Sequence, residues 1–433
     1  ALFFELLECV QHGVVLERAD AQRHGRRGIY TAKELFITST KHSTTMSIRR
    51  MEGRDINERH RTSTTLELLF DLIIVVAVAQ AAGGLHHMLA EGMYATGAVC
   101  YMMAFWCVFI GWMNFSWFAS AYDTDDVPYR ITTAIQMLGA MILAAGIGDI
   151  FLHTPDFTTA FIGFVIMRLA MVTQWLRAAR QHEAGRATCL RYAVGTALAQ
   201  ALWPATLFSG GAAQTAVFAV AAMVELAVPY IAERKGGTPW HPHHIAERYG
   251  LLVIIVLGEC VAGIISMAAK TVHEDMSQWA ESALPVIVSS LATVFAMWWT
   301  YFKLPTGSLL AGRRGVAFPF AYIHYFIFAS LASLGAGLGL QADSLAEPEN
   351  GQLVRTAVIT TANACGTFLV LVSILNIALF RQYRNGAALL AIAILTPAVP
   401  MAMLLGGISL KWVVMAAALA PALYVRTLDA GKC

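Results

Sequence analysis

Long apolar runs organise the chain from about residue 62 onward. An α-helix needs about 20 apolar residues to cross a hydrocarbon core about 30 Å thick. Runs of that length predict about twelve spanning helices and hence an all-α, polytopic transmembrane helix bundle. The predicted segments cover residues 66–89, 94–118, 129–151, 157–176, 190–208, 213–232, 246–268, 281–302, 316–340, 353–380, 386–405 and 409–426.

Prolines interrupt two of these segments. Pro204 lies within 190–208, and Pro397 and Pro400 lie within 386–405. Proline has no backbone N–H and its ring clashes with the preceding turn, so it kinks or breaks a helix. The helical prediction therefore has its weakest support in these two places.

Residues 1–60 have a different composition. They are polar and basic, and they contain no apolar run long enough for a signal peptide or a span. We expect the first forty-odd residues, upstream of Met46, to be a disordered tail or an upstream extension. Residues 61–430 are expected to form the integral membrane domain.

Basic residues alternate between the loops and predict the orientation. Lysine and arginine are concentrated in every second loop, whereas the intervening loops carry only Lys270, Arg355 and Lys411. Cytoplasmic loops of membrane proteins are enriched in these residues. Both termini are therefore expected on the cytoplasmic side.

The composition agrees with a membrane protein. The chain is 57% hydrophobic and 13% charged, whereas a soluble domain carries about 25% charged residues. A net charge of +2 gives no reason to expect nucleic acid as a partner, and the seven cysteines include no CxxC pair. The lipid bilayer is the expected partner, and no cofactor is predicted.

A weak internal similarity suggests two halves. The first predicted helix begins at Glu67 and runs through an apolar stretch to Gln80, and the seventh begins at Glu247 and runs through a similar stretch to Glu259. In a chain of about twelve helices these spans would open two six-helix halves with the same direction. Either a duplicated six-helix unit or a chance likeness between apolar helices explains the pattern.

Several charged residues lie inside the predicted spans. A charge at the bilayer centre costs at least about 2.5–3.5 kcal/mol, so it must face a partner, a cavity or water, or become neutral. Glu259, Glu225 and Arg168 occupy such positions. We expect Arg168 to pair with Glu225, Glu259 or Asp149, as a structural ion pair or as a contact for a substrate anion.

His324 also lies in an apolar span. It is a candidate for proton relay, or a hydrogen-bonded core histidine. The segment from His241 to His244 carries three histidines, but no second cluster of ligands accompanies them, and we predict no metal site there.

A second group of polar residues is predicted at the cytoplasmic end. Glu67 and Asp71 are four residues apart and share one helix face. The group also includes Glu247 and Arg248, together with Asp123, Asp125, Asp126 and Arg130 of the loop that follows the second predicted span. The three aspartates either bind a divalent cation through oxygen ligands or form a solvated loop.

Three stretches together resemble one family. Thr65–Leu72, Tyr122–Asp126 with Arg130, and His244–Glu259 resemble, in this order, motifs of the bacterial low temperature requirement A proteins. The resemblance covers roughly residues 62–430 and departs at Leu69, where phenylalanine is expected. It implies a polytopic inner-membrane protein, and it implies no known substrate or catalytic residue.

Buried carboxylates in a two-half helical bundle favour a secondary transporter, driven by a gradient, of an unidentified small solute or ion. Asp71 and Glu259 would be its coupling groups and Arg168 a charge partner. Alternatives are a membrane-embedded enzyme with a metal at the three aspartates, acting on a lipid or prenyl substrate, or a non-catalytic envelope protein that supports growth in the cold. Whether the chain is an enzyme stays open.

The charge alternation makes a topological prediction. Reporter fusions after residues 186 and 313 should report the cytoplasm, and fusions after residues 274 and 347 the opposite side. A cytoplasmic signal after residue 274 would contradict the twelve-helix arrangement.

Overall fold

A computed structural model describes residues 48–430 apart from 59–60, 272–275, 382–384 and the side chain of residue 278. The tail predicted upstream of Met46 lies outside the described residues. Where the chain is described, it is helical and contains no strand, as predicted. In chain order the helices are α1 Thr65–Ala90, α2 Tyr94–Tyr122, α3 Val127–Ile150, α4 Thr158–Gln181, α5 Arg186–Gln200, α6 Pro204–Leu207, α7 Gly211–Glu233, α8 Pro242–Thr271, α9 Met276–Phe302, α10 Thr306–Gly312, α11 Ala317–Ala346, α12 Gly351–Ile374, α13 Gly386–Leu395, α14 Ala398–Leu405 and α15 Leu410–Ala430.

Eleven helical segments of the described chain are long and apolar enough to cross a membrane. The predicted segment 190–208 is the one that is not among them, because it forms two short helices, α5 of 15 residues and α6 of 4 residues. Segment 386–405 is also divided, into α13 and α14, but together these are long and apolar enough to cross. Pro204 begins α6, and α5 alone spans only about 22 Å at 1.5 Å per residue. The helix therefore breaks at the proline.

The interrupted segment still joins the two ends of the bundle. Gly185, just before α5, packs against Tyr122. Ser209 and Gly210, just after α6, line a cavity together with His153, on the loop at the other end of α3. The predicted count of about twelve therefore corresponds to eleven segments that are long enough to cross and one, residues 190–208, that is divided into two short helices.

The same helix pairing occurs in both halves of the chain. In each half the first helix packs against the second and third, the third against the fourth, the fourth against the fifth, and the fifth against the sixth. The first half consists of α1, α2, α3, α4, α5 and α7, and the second of α8, α9, α11, α12, α13 and α15. This repetition supports the six-helix duplication that the sequence suggested.

The loops that the sequence assigns to one side lie together in the structure. Arg54 N donates to Ala121 O at 2.9 Å, Arg50 Nε to Gln181 O at 2.9 Å, and Arg314 Nη2 to Trp240 O at 2.9 Å. We call this the basic end. It comprises residues 48–58, 61–63, 121–130, 177–186, 238–248 and 313–316.

The opposite end has its own contacts. His86 Nε2 lies 2.7 Å from Asp343 Oδ2, and Lys270 also pairs with Asp343. Glu281 and Lys411 form a further pair with 3.2 Å between Oε1 and Nζ. Lys270 and Lys411, two of the three basic residues predicted for this side, therefore lie here.

Large apolar side chains are exposed along the outward helix faces, as the lipid-facing surface of a membrane protein requires. They include Leu72, Val76, Ile254, Ile265 and Leu419. The described interior is instead filled with aromatic residues such as Phe70, Trp112, Phe115 and Phe320. The polar residues of interest lie among these interior side chains.

Glycines bring α3 and α4 into close contact. A Cβ atom added at Gly163 would lie 2.2 Å from Leu143 N and 2.5 Å from Gly139 O. Both distances join it to backbone atoms, which cannot rotate away. Small residues at helix interfaces allow this close backbone approach in membranes.

Gly163→Ala is therefore expected to force the two helices apart and to destabilise the protein by about 1–3 kcal/mol. Gly148→Ala is the matched control, because a Cβ at Gly148 on α3 meets nothing within 4 Å. Melting temperatures of both variants in detergent test this. Equal melting temperatures for the two would contradict the packing described.

Candidate functional site

The start of α1 positions its first carboxylate. Thr64 is the N-cap, and its Oγ1 accepts from Glu67 N at 3.3 Å while its N donates to Glu67 Oε2 at 2.7 Å. This reciprocal capping box turns the Glu67 side chain back toward the helix start. Asp71 follows one turn later on the same face, and both acids are buried.

Asp71 binds the guanidinium of Arg248 with two parallel hydrogen bonds. Arg248 Nη1 donates to Asp71 Oδ2 at 2.8 Å, and Nη2 donates to Oδ1 at 2.7 Å. Trp112 Nε1 donates to Oδ1 at 2.8 Å, and Arg248 Nη2 also lies 3.3 Å from Ser116 Oγ. Both charged side chains are fully buried. This bidentate pair therefore connects α1, α2 and α8.

A second pair lies one turn nearer the helix start. His244 Nε2 is 3.1 Å from Glu67 Oε1, and both side chains are buried. Glu67 and Asp71 lie four residues apart on α1, and His244 and Arg248 lie four residues apart on α8. Because the two helices run parallel, each acid contacts one base, and we call each such pair a rung. We call these four residues the charge ladder. It joins the opening helices of the two halves.

The sequence indicated most of this ladder but not its full pairing. It grouped Glu67, Asp71 and Arg248 at one end, whereas it treated His244 only as part of a histidine-rich segment. The spacing of His244 and Arg248, which matches that of the two acids, was the available signal. Glu247 lies beside the ladder, and its Oε1 accepts from Ser63 N at 3.2 Å.

A third buried pair borders the ladder. Arg61 Nη2 lies 3.6 Å from Asp123 Oδ2, and both side chains are buried. Burial raises the pKa of Asp123 to about 6, with a further rise from the charge of Glu67 and an opposing effect of Arg61. The Asp123 carboxyl therefore keeps its proton to a higher pH than an exposed aspartate does.

Several buried polar atoms around the ladder have no hydrogen-bond partner within the described part of the chain. They are Arg61 Nε, the Tyr129 hydroxyl, His244 Nδ1 and Arg248 Nε. Buried polar groups in native proteins are nearly always paired with protein or ordered water. Unpaired buried polar groups are therefore concentrated around the ladder.

The three aspartates of the acidic loop point to different partners. Asp125 is exposed and binds Arg130 Nε at 2.8 Å. Asp126 caps α3 by accepting from Tyr129 N at 3.1 Å, and it binds Arg177 Nη1 at 2.9 Å. Burial would raise the pKa of Asp126, but the hydrogen bonds from Arg177 and the backbone lower it to about 2.

This divergence leaves no common point for a cation. Among the residues that the structure describes, no three His, Cys, Asp or Glu side chains are grouped for a metal ion. The acidic loop therefore acts as a helix cap and a set of separate ion pairs, with only Asp123 next to the ladder.

Two predicted residues lie apart from the ladder. Glu259 is half-buried on α8, where it faces Gly335 of α11, and it has no ion pair with a described residue. His324 is fully buried on α11. Its Nδ1 donates to Phe320 O at 2.7 Å, and its Nε2 accepts from Tyr301 at 2.9 Å. Both ring nitrogens of His324 are thus satisfied as in a core histidine.

The buried arginine of α4 has the carboxylate partner that the sequence predicted. Arg168 Nη2 lies 3.1 Å from Glu225 Oε1 of α7, and both side chains are buried. Gln200 Nε2 of α5 donates to the same oxygen at 2.9 Å. Of the three candidate acids, Glu225 is the partner, so this pair forms a second buried charged centre within the first half.

Removing the charge of Asp71 should be costly. Asp71→Asn leaves Arg248 buried without its counter-charge, and breaking a buried pair from one side costs about 3–5 kcal/mol. We expect a large fall in melting temperature in detergent, partly reversed by adding Arg248→Gln. Asp125→Asn is the control, since that pair is exposed and should matter little. Equal melting temperatures for Asp71→Asn and Asp125→Asn would contradict this.

Comparisons with known proteins identify the family of this chain. Residues 62–423 match the family model of the bacterial low temperature requirement A protein (LtrA). An uncharacterized protein of Rhizobium meliloti (strain 1021) is 26% identical over 245 residues, which cover 54% of this chain and 57% of that protein. The family match covers most of the described helices and all four residues of the ladder. The chain therefore belongs to the bacterial low temperature requirement A family.

Proposed function

We propose that this protein is a gradient-coupled secondary transporter of a small solute and that the charge ladder is its coupling element. The supporting observation is the position of the ladder. Titratable acid–base pairs connect the opening helices, α1 and α8, of two halves with the same helix pairing. In transporters built from repeats, alternating access arises from movement of one repeat against the other.

The chemistry of the ladder suits coupling to protons. The bonds from Arg248 hold the two halves together only while Asp71 is ionised, because a neutral acid leaves the arginine without its counter-charge. Loss of a buried pair costs about 3–5 kcal/mol. That energy would shift a two-state equilibrium about a hundred- to several-thousand-fold. Proton binding to the ladder would thus favour separation of the halves at the basic end.

The orientation follows from the charge distribution. The basic end would face the cytoplasm of a bacterial inner membrane, with both termini on that side. Residues 61–430 would form the membrane domain, with the ladder on its cytoplasmic half. Glu259 lacks a counter-charge in the described chain and is not part of the ladder, so its role as a coupling group stays a prediction.

The alternative of a metal-dependent enzyme receives less support. It needs Asp123, Asp125 and Asp126 around one cation, whereas their carboxylates bind Arg61, Arg130 and Arg177 separately. A role as a non-catalytic envelope protein has no specific structural observation in its favour. Transport is therefore the function that the geometry supports best.

Glu67→Gln is the most direct functional test. Glutamine also serves at this position of a capping box, so the variant should fold while it loses one titratable rung. Purified protein would be placed in liposomes and exposed to concentration jumps of amino acids, carboxylates, sugars and polyamines. We expect a pH-dependent current with at least one class, and its loss in Glu67→Gln.

Asp125→Asn serves as the control because its carboxylate is exposed and lies outside the ladder. It should keep the current of the parent. Two results would contradict the proposal. One is the absence of any current above that of protein-free liposomes, and the other is an unchanged pH dependence in Glu67→Gln at equal reconstituted protein.

A further inference from the structure

Two apolar grooves lie on the outer surface of the bundle, at matching places in the two halves. The first groove, of about 590 Å³, runs between α5 and α7. The second groove, of about 620 Å³, runs between the α13–α14 segment and α15. These helices are the fifth and sixth segments of each half, so the repeated helix pairing also repeats a groove.

The first groove combines a close helix contact with exposed apolar sides. Gly195 of α5 faces Val228 of α7, and a Cβ atom added at Gly195 would lie 2.9 Å from Val228 Cγ1. Leu198 and Ile231 line the same groove and are exposed. The missing side chain at Gly195 therefore leaves a recess between larger apolar residues that face the lipid.

The second groove has the same kind of lining. Small residues of α15 contribute Ala416, Ala417 and Ala420, and the exposed side chains of Leu395 and Leu419 lie beside them. Each groove is therefore a recess of small residues with larger apolar residues at its sides.

Among the described residues, one charged side chain lines each groove, and in both it is an arginine. Arg191 lies near the start of α5, and Arg426 lies near the end of α15. Arg186, where α5 begins, belongs to the basic end. Asp429, one turn after Arg426, pairs with Lys303, which directly follows α9. Both arginines therefore lie toward the basic end of their groove.

Each groove extends from its arginine to about the depth of one leaflet. At 1.5 Å per residue, the lining covers about 10 Å from Arg191 to Leu198 and about 15 Å from Arg426 to Ala416. Half of a hydrocarbon core about 30 Å thick is about 15 Å. The grooves therefore have a length that suits an acyl chain of the leaflet at the basic end.

The two arginines keep hydrogen-bond donors available. Arg191 Nη1 donates to Ala232 O at 2.9 Å, whereas a guanidinium has five N–H donors. The nearby acid Glu233 has another partner, because its Oε1 accepts from the Tyr192 hydroxyl at 3.1 Å. Arg426 is exposed, and no ion pair joins it to a described residue. Both positive charges are therefore open to an anion at the membrane surface.

We propose that each groove binds one anionic phospholipid, with its phosphate on the arginine and an acyl chain along the apolar lining. Arginine forms bidentate hydrogen bonds with phosphate, and basic pockets between transmembrane helices bind anionic head groups. A zwitterionic lipid would bring an ammonium group to the basic end, where it is repelled. Lipid binding of this kind does not require the proposed transport activity.

Native mass spectrometry of the full-length protein in detergent tests the proposal. The probes are phosphatidylglycerol, which is anionic, and phosphatidylethanolamine, which is zwitterionic, with the same acyl chains. We expect two phosphatidylglycerol molecules to stay bound per chain at concentrations where phosphatidylethanolamine does not. Glycerol 3-phosphate has a charged phosphate but no acyl chain, so it should not displace them.

Arg191→Gln and Arg426→Gln should each lose one tightly bound lipid, and the double variant should lose both. We expect the dissociation constant of the changed groove to rise on the order of tenfold, the value of one hydrogen bond to a charged group. Arg186→Gln is the matched control, because it removes an exposed charge from the same end of α5 but outside the groove lining. It should keep both lipids, and melting temperatures would verify folding.

Ala227→Trp and Ala420→Trp fill the first and the second groove and keep the arginines, and each should also lose one lipid. Should an arginine variant fail to fold, the tryptophan variant of the same groove provides the test. Equal retention of the two lipids, equal binding by Arg191→Gln and Arg186→Gln, or full binding by the tryptophan variants would overturn the proposal. A dimer that the tryptophan variants separate would assign the grooves to a second copy of the chain and overturn it as well.

Discussion

The two halves of this protein are connected by a buried ion pair between Asp71 and Arg248. The pair is bidentate and lies between the helices that open the two halves. Burying two charges is costly, and only good geometry and extra hydrogen bonds compensate for it. Trp112 and Ser116 of α2 provide those extra bonds. This constraint fixes the relative position of α1, α2 and α8, and the Glu67–His244 rung repeats it one turn away.

The same physical requirement shapes the second charged centre. Arg168 is buried in α4, so it needs Glu225, and Glu225 in turn accepts a hydrogen bond from Gln200 beside the break. The two centres differ in the geometry of the ion pair. Arg248 uses both terminal nitrogens on Asp71, whereas Arg168 uses one on Glu225 within the described chain.

The sequence predicted the fold well because lipid leaves little choice. Backbone groups in hydrocarbon must be paired within the segment, so each apolar run of about 20 residues becomes a helix. The exception, segment 190–208, contains Pro204, and the structure breaks there. A carboxylate partner for Arg168 could also be predicted, because an unpaired arginine charge inside the membrane has a high free-energy cost.

The pairing within the site was harder to predict. Glu259 appeared as informative as Asp71 because both are acids in apolar runs, but a single sequence does not tell which face of a helix points inward. Asp71 faces Arg248, whereas Glu259 is half-buried without a counter-charge in the described chain. His244 was missed as a partner of Glu67 because that contact depends on how α1 and α8 align.

The central claim is that the charge ladder holds the two halves together at the basic end. The most direct measurement is the spin-label distance between exposed positions 183 and 315, one in each half, with the other cysteines replaced. In the parent protein we predict one narrow distribution. In the Asp71→Asn variant a longer-distance population should appear in folded protein, because Arg248 no longer binds α1. Superimposable distributions in the two proteins would contradict the account.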